Sequence, residues 1–595
     1  MLGGGRLAAF LVVVLCAAWV FSLPASAAAA ALVLTASVAV FLTLVALHRR
    51  ARVREQRARA LAELNRRGIA RVRRDWGALP QPNEEVPPNP YAADLDVAGT
   101  EASLYRLVDV VSGATGRPKL IHWLLDAPPS TDELLERRPA ITELASAVDL
   151  RDDLALLARK ASNASPRELE LFLTWAESAQ SPPALLWAAR IIPLVTIVTA
   201  VLAFFRKLPW TAPGLSIIAG LLILARYRAT LATNISLAFS RATALRAQNE
   251  MLHRLANEQF ESPMLQREQR RAIKGEVALH YLERAMSLLE GQGSLVHAIV
   301  APILLWDIHA LAWLDRWRSR HGRTLRDCLD ALGTIEALVA LATLAHDNPR
   351  WSFPNLDDAA RCLTATSLAH PLLPEPTRVA NDVTLGPPGT LLLVTGSNMS
   401  GKSTLLRSIG LNVVLAQAGA PVCADSLTMP LVELRTSIRL ADSLERGVSL
   451  FMAELERLKE IVDAARTSAR ARPLLYLLDE ILHGTNTAER LIAARTVLGY
   501  LVQAGAIGAV TTHDLTLAAD GALATASRPV HFTEQVASAD NGHEAPGMTF
   551  DYRLRPGLAT STNALKLLAL VGLAPPGESA RPLAPSRAPD DSARP

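Results

Sequence analysis

Two clusters in this sequence have the residue types and spacing to act on a phosphate group. The first is Gly396-Ser397-Asn398-Met399-Ser400-Gly401-Lys402-Ser403, followed by Thr404. It reads G-x-x-x-x-G-K-S, it follows the apolar run Leu391 to Val394, and a helical pattern comes after it. The glycines let backbone N–H groups close around phosphate oxygens, and the N-terminus of the following helix adds the positive end of its dipole. In that setting Lys402 reaches the β- and γ-phosphates, and the Ser403 hydroxyl binds Mg²⁺. The second cluster is Asp479-Glu480, at the end of the apolar run Leu474 to Leu478. A buried strand ending in two carboxylates suits a nucleotide hydrolase. Asp479 is expected to hold the Mg²⁺ through water, and Glu480 to orient and activate the attacking water.

A strand must deliver each cluster, so an α/β domain is expected over residues 381–574, with strands near 391–394, 474–479 and 507–512. The chain has 595 residues, more than one core accommodates, and several domains follow. Its four cysteines, Cys16, Cys328, Cys362 and Cys423, lie far apart with no C-x-x-C, which argues against a zinc site or a disulfide framework. The formal net charge is only +4. Half the residues are hydrophobic and the mean hydropathy is +0.20, which points to membrane segments.

Leu7 to Leu23 and Ala27 to Leu47 are apolar runs joined by Pro24-Ala25-Ser26, and they predict a transmembrane hairpin over residues 1–47. The rival reading is a cleaved signal peptide, since Ala25-Ser26-Ala27 resembles a cleavage site. His48 to Arg74 carries eleven arginines against Glu55 and Glu63, the positive-inside signature of a cytoplasmic flank. Such a run can also touch anionic lipid or nucleic acid. A Pro-rich linker completes a segment of residues 48–100.

Residues 101–380 read as helical. Two further apolar runs, Pro183 to Phe205 and Leu208 to Ala225, flank Arg206-Lys207 and predict a second hairpin near 183–225. A buried helical pair in a soluble domain is the alternative there. Trp306, Trp313 and Trp317 have core spacing. Residues 575–595 read as a disordered tail.

Beyond the phosphate clusters, TGSNMSGKST (Thr395 to Thr404), SLFMAELE (Ser449 to Glu456), LLDEILHGTNTAER (Leu477 to Arg490), TTHD (Thr511 to Asp514) and GLATSTNALKLLALVGL (Gly557 to Leu573) together resemble the MutS family of DNA mismatch-repair ATPases. A weaker similarity covers Leu107 to Leu125, Arg137 to Leu144 and His370 to Leu373. The resemblance implies an ABC-type phosphate-loop ATPase domain C-terminal to an all-α core and lever domain. It implies ATP and Mg²⁺ as cofactors and a homodimer with shared sites. Lys402 and Ser403 would bind phosphate and metal, Asp479 would help hold the metal, and Glu480 would position the water. His513 resembles the γ-phosphate sensor, and Ser449 the residue that reaches the partner's nucleotide. The turn Gly484 to Thr487 resembles the loop that links the two sites.

The chain departs from the family pattern in three ways. The N-terminal mismatch-reading domain and the connector are replaced by membrane and linker sequence. Arg378 stands where the family places an aromatic over adenine, just before Asn381. A membrane hairpin interrupts the helical core.

Two functions are carried forward. One is a membrane-anchored, dimeric, ATP-driven clamp on mismatched or branched double-stranded DNA, at the inner cell membrane with its ATPase domain cytoplasmic. The other is the same engine acting on protein or membrane partners without DNA. A transporter is a third reading, but no intramembrane acidic pair marks a path.

Overall fold

The computed structural model describes residues 10–15, 17–18, 27–81, 86–110, 113–161, 166–178, 183–239, 242–289, 303–397, 400–438, 450–468, 472–482, 487–519, 521–536 and 548–558. The chain divides into two compact units. Unit 1 is Met1–Glu84, Tyr105–His122 and Glu136–Pro349, and unit 2 is Glu85–Leu104, Trp123–Leu135 and Arg350–Pro595.

Unit 1 is helical. Its main helices are α1 (Ala27–Arg73), α2 (Val148–Ala161), α3 (Pro166–Glu177), α4 (Pro183–Phe204), α5 (Thr211–Phe239), α6 (Ala242–Ala256), α7 (Pro263–Leu289) and α8 (Trp306–Asp347). α1 runs without a break across residue 47, from the second apolar run through the basic run. The arginine-rich half has good helix formers and no Pro or Gly before Gly68, so nothing stops the helix. Part of that basic run is also used inside the unit. Arg71 pairs with Asp347 at 3.2 Å, and Arg57 with Asp153 at 2.5 Å.

α8 is the central helix, buried on most sides from Leu325 to Leu344. It meets α3 at Gly322, where an added Cβ would lie 2.2 Å from the Ala176 carbonyl oxygen. That contact is backbone against backbone and cannot yield. Replacing Gly322 with Val should therefore part α3 from α8 and lower the unfolding temperature by several degrees, read by thermal denaturation. Trp317 stacks with Trp175 at 6.5 Å between centroids and lies near Phe172, the core role its spacing predicts. Trp306 and Trp313 are only half-buried.

Two described helices are apolar and long enough to cross a membrane by length and composition. One lies within α1, and none of its apolar window is buried; the other is α8, whose window is 89% buried and so forms core. The rings of Phe10, in the first apolar run, and Phe41 of α1 lie 5.9 Å apart. α4 and α5 form a helical hairpin tied by a Thr196–Ser216 hydroxyl hydrogen bond of 2.9 Å. Their apolar stretches, Ala189–Phe204 and Thr211–Tyr227, are shorter than the ~20 residues of a straight span.

Unit 2 holds two sheets. Six strands are ordered β10-β9-β4-β8-β7-β6, and four are ordered β1-β5-β2-β3. The larger sheet comprises β4 (Leu391–Thr395), β6 (Glu433–Ser437), β7 (Leu474–Asp479), β8 (Ile507–Thr512), β9 (Ser527–Val536) and β10 (Met548–Pro556). All neighbours are parallel except β10, which runs antiparallel to β9. β4 and β8 are buried throughout, as helix-covered parallel strands must be. Helices α9 (Lys402–Ala418), α10 (Leu450–Ser468) and α11 (Thr487–Gln503) accompany the sheet.

The smaller sheet is β1 (Asn355–Leu356), β2 (Leu363–Leu368), β3 (Asn381–Leu385) and β5 (Ser426–Met429). It places strands where the sequence reads as helical up to residue 380, and unit 2 begins its final stretch at Arg350. Unit 2 also takes in residues 86–104. There the buried Asp94 carboxylate accepts hydrogen bonds from Thr436 Oγ1 (2.7 Å), the Ile438 amide (3.0 Å) and Arg457 Nη2 (2.6 Å). Leu95, fully buried, packs on Gly410 of α9.

Candidate active site

The loop after β4 turns into α9 through Gly401, whose φ is 102°, a conformation that side chains avoid. A Cβ there would also meet the Tyr552 ring at 3.1 Å. α9 begins at Lys402, so the amides of its first turn face the loop. Lys402 is buried. Its Nζ donates to the carbonyls of Gly396 (2.9 Å) and Ser397 (2.8 Å), and it lies 3.4 Å from Glu480 Oε1.

β7 and β8 bring the carboxylates to the same point. Thr511 Oγ1 donates to Asp479 Oδ1 at 2.5 Å and accepts the Glu480 amide at 3.0 Å. One hydroxyl therefore sets both acidic residues. Glu480 (φ 48°) and Leu482 (φ 63°) are left-handed, a strain that cores tolerate mostly where a side chain must be aimed. The Leu482 amide donates to Glu454 Oε1 of α10 at 2.5 Å, which holds the turn. His513 Nε2 lies 2.5 Å from Glu480 Oε1 and 3.2 Å from Lys402 Nζ. Lys402, Glu480 and His513, far apart in sequence, thus meet at one oxygen.

The adjoining cavity is about 450 Å³. Ser397, Lys402, Ser403, Thr404 and Glu480 are among its polar lining residues, and Leu368, Leu373, Phe532 and Tyr552 among its apolar ones. A lining of both kinds suits a ligand with charged and apolar parts. Ser403 and Asp479 supply oxygen donors, the kind a hard divalent cation takes. His370 also lines the cavity. Burial first, then the charges of Arg407 and Arg378, lower its pKa to about 4, so its imidazole is neutral there.

Arg378 does not face this cavity. Its guanidinium donates to the Leu373 carbonyl at 2.8 and 3.2 Å and sits 5.7 Å over the Trp351 ring. Two aromatics line the cavity, Phe532 of β9 and Tyr552, which lies on the bulge of β10 between Phe550 and Leu554. Asn381 fastens that bulge: its Nδ2 donates to the Tyr552 carbonyl at 3.0 Å, and its Oδ1 accepts the Leu554 amide at 2.7 Å. Asn381→Ala should loosen the ring and raise the KM for ATP by roughly 10-fold, with kcat little changed, in steady-state assays.

Of the predicted site residues, the structure gathers Gly396, Ser397, Ser400, Gly401, Lys402, Ser403, Thr404, Asp479, Glu480 and His513. Asn398, Met399, Ser449 and residues 484–486 of the turn lie outside the described residues. Sequence reasoning missed Tyr552, Thr511, Asn381 and Glu454 as site-builders. Thr511 lay inside a quoted motif, but nothing in its neighbours announced a bond to Asp479.

A buried strand, a glycine loop at a helix N-terminus and a second strand ending in Asp-Glu lie together in a mixed α/β domain. Residues 392–576 match the family model for MutS domain V. The chain is 33% identical to the DNA mismatch repair protein MutS of Haloquadratum walsbyi, over 42% of this chain and 26% of that protein. It is 32% identical to MutS of Azorhizobium caulinodans, over 42% and 27%, and 35% identical to the DNA mismatch repair protein MSH3 of Coccidioides immitis, over 30% and 16%. Over residues 392–576 the chain is thus similar to domain V of the MutS family. It spans about a quarter or less of the length of these curated relatives.

Proposed function

We propose that the protein is an ATP hydrolase of MutS type, working as a homodimer on mismatched or branched double-stranded DNA, with unit 1 fixed to a membrane. The observation that carries it is the convergence of Lys402, Glu480 and His513 at the loop of an α/β domain of this family. In the proposed reaction, Glu480 takes a proton from a water whose oxygen attacks the γ-phosphorus. The bond from that phosphorus to the bridging oxygen breaks, and ADP and phosphate leave. Lys402 compensates charge on the γ-phosphate oxygens, and His513 reports that phosphate by exchanging its contact with Glu480. Ser403 and Asp479 would hold Mg²⁺, which supplies charge neutralisation on the phosphates when bound. Ser449 from the partner subunit would complete the nucleotide site.

Removing the Lys402 ammonium by substitution with Ala should weaken ATP binding by roughly 10- to 100-fold, measured by titration with a fluorescent ATP analogue.

DNA is drawn from the named relatives, which are DNA mismatch repair proteins. The membrane is drawn from this chain: no residue of the α1 apolar window is buried, and the α4–α5 hairpin exposes Trp187, Leu194, Phe204, Leu215 and Leu222. That exposed surface also favours a second reading, the same engine acting on protein or membrane partners without DNA. The test is the ATPase rate of the detergent-purified chain with perfect, mismatched and branched duplexes at fixed moderate salt. Stimulation by one of these supports the DNA reading and names the preferred structure. A basal rate indifferent to all three transfers the engine to the second reading.

A further inference from the structure

Outside the nucleotide site, α7 and α8 frame a cavity of about 470 Å³ in unit 1. Tyr281, Trp313, Trp317 and His321, whose ring stacks on Tyr281, line it together with the guanidinium groups of Arg316 and Arg320. Two other arginines of α8 are occupied: Arg318 pairs with Asp315 at 3.0 Å, and Arg326 with Glu170 at 2.8 Å and Glu177 at 2.6 Å. Among the described residues Arg316 and Arg320 are exposed and have no acidic partner. Two uncompensated guanidinium groups beside three aromatic rings suit an anion attached to an apolar body.

The cavity's place in unit 1 narrows the choice. The first turn of α8 is seated at the root of the exposed α4–α5 hairpin. His309 Nε2 lies 2.9 Å from the Ala189 carbonyl, and Leu305 and Ile308 are buried with Ala189 against Ile192 and Ile223. The far end of that hairpin exposes Phe204, Phe205 and Trp210 around Arg206 and Lys207. At ~1.5 Å per residue, Arg316 and Arg320 follow His309 by about 10 and 16 Å along α8. A headgroup layer extends ~5–8 Å beyond the hydrocarbon on each face of a bilayer, and arginine side chains reach several ångströms back towards it. Tryptophan and tyrosine favour the same depth.

We propose that this cavity binds the phosphate headgroup of an anionic phospholipid, with the lipid's chains lying along the α4–α5 hairpin. The inference rests on the membrane reading above. The test uses the full chain purified in detergent with equal phosphatidylglycerol and phosphatidylcholine, and reads retained lipid by native mass spectrometry. Each basic residue near an anionic surface contributes about 5-fold, so the wild type should retain phosphatidylglycerol over phosphatidylcholine by roughly 25-fold. Arg316→Gln/Arg320→Gln should abolish the preference, while Arg323→Gln, exposed on the same helix and not lining the cavity, should keep it.

Equal retention of both lipids by the wild type, or an unchanged preference in the double variant, overturns the proposal. Displacement of the lipid by millimolar inorganic phosphate reassigns the cavity to a soluble anion. Displacement by a single-stranded oligonucleotide in the same arginine-dependent manner reassigns it to nucleic acid. Either overturns the lipid assignment. Alkaline extraction of membranes separates the two levels. A chain released by it overturns the membrane reading itself, whereas a retained chain without lipid preference overturns only the cavity's role.

Discussion

Glu480→Gln is expected to leave ATP bound and stop its turnover. The amide keeps the shape and one acceptor oxygen, so the contacts with Lys402 and His513 survive in outline. What it loses is the ability to take a proton from water. A positioned general base contributes about 10²–10⁴-fold, and the single-turnover rate should fall by that much. ATP should be retained on the variant with wild-type affinity in a filter-binding assay. Hydrolysis at the wild-type rate would move the base elsewhere, and Asp479 would be the next carboxylate to replace. Glu480→Ala is a poorer probe, because it strips a partner from the buried Lys402 and mixes a folding effect into the kinetics.

The second large effect is on stability and belongs to Glu336, in the centre of α8. The carboxyl is fully buried. Thr115 Oγ1 donates to it, and Gly113 comes so close that an added Cβ would clash with Oε1. Burial pushes its pKa up to about 7, against smaller opposing effects from Thr115, the Gly116 amide and the charge of Arg117. A carboxyl with a raised pKa favours the folded state only while protonated. Its contribution is complete below its unfolded value near 4.5 and is lost as the pH rises through 7. The wild type should lose on the order of 3 kcal/mol across that window, and its unfolding temperature should fall by several degrees between pH 5 and pH 8. Glu336→Gln is neutral at every pH and keeps an acceptor for Thr115. Its melting curve should be nearly flat with pH and should lie above the wild type at pH 8. Parallel pH profiles for the two proteins would place the titrating group elsewhere.

The chemistry of the site was legible because its residues are contiguous. The phosphate loop and the Asp-Glu pair each fit within a short window, and both-face burial makes most of β4 and β7 read as apolar runs. The smaller sheet was not legible. Its strands are two to six residues long, and its pairings join distant stretches, such as Asn355 with Thr428. The continuity of α1 was also hidden, since hydropathy changes sharply near His48 while helix propensity does not. Tyr552 could not be found by spacing at all. Only the bulge in β10 and the grip of Asn381 turn it towards Gly401, and neither leaves a local signature in the sequence.

Asp94 bears on how the chain acquires its structure. Its carboxylate is a buried acceptor for Thr436, 342 residues downstream, and for Arg457 beyond that. A ribosome adding ~5–20 residues per second delivers Thr436 about 20–70 s after Asp94 has been made. For most of that interval the stretch can join only the nearby Leu124 and Leu125 carbonyls, because α9, on which Leu95 lodges, has not yet been made. Unit 2 therefore closes late and from both directions of the chain, after the intervening helices have been synthesised. A fragment started at Arg350 would lack the ligand that Thr436, Ile438 and Arg457 share, and should form the sheet with that corner open to water.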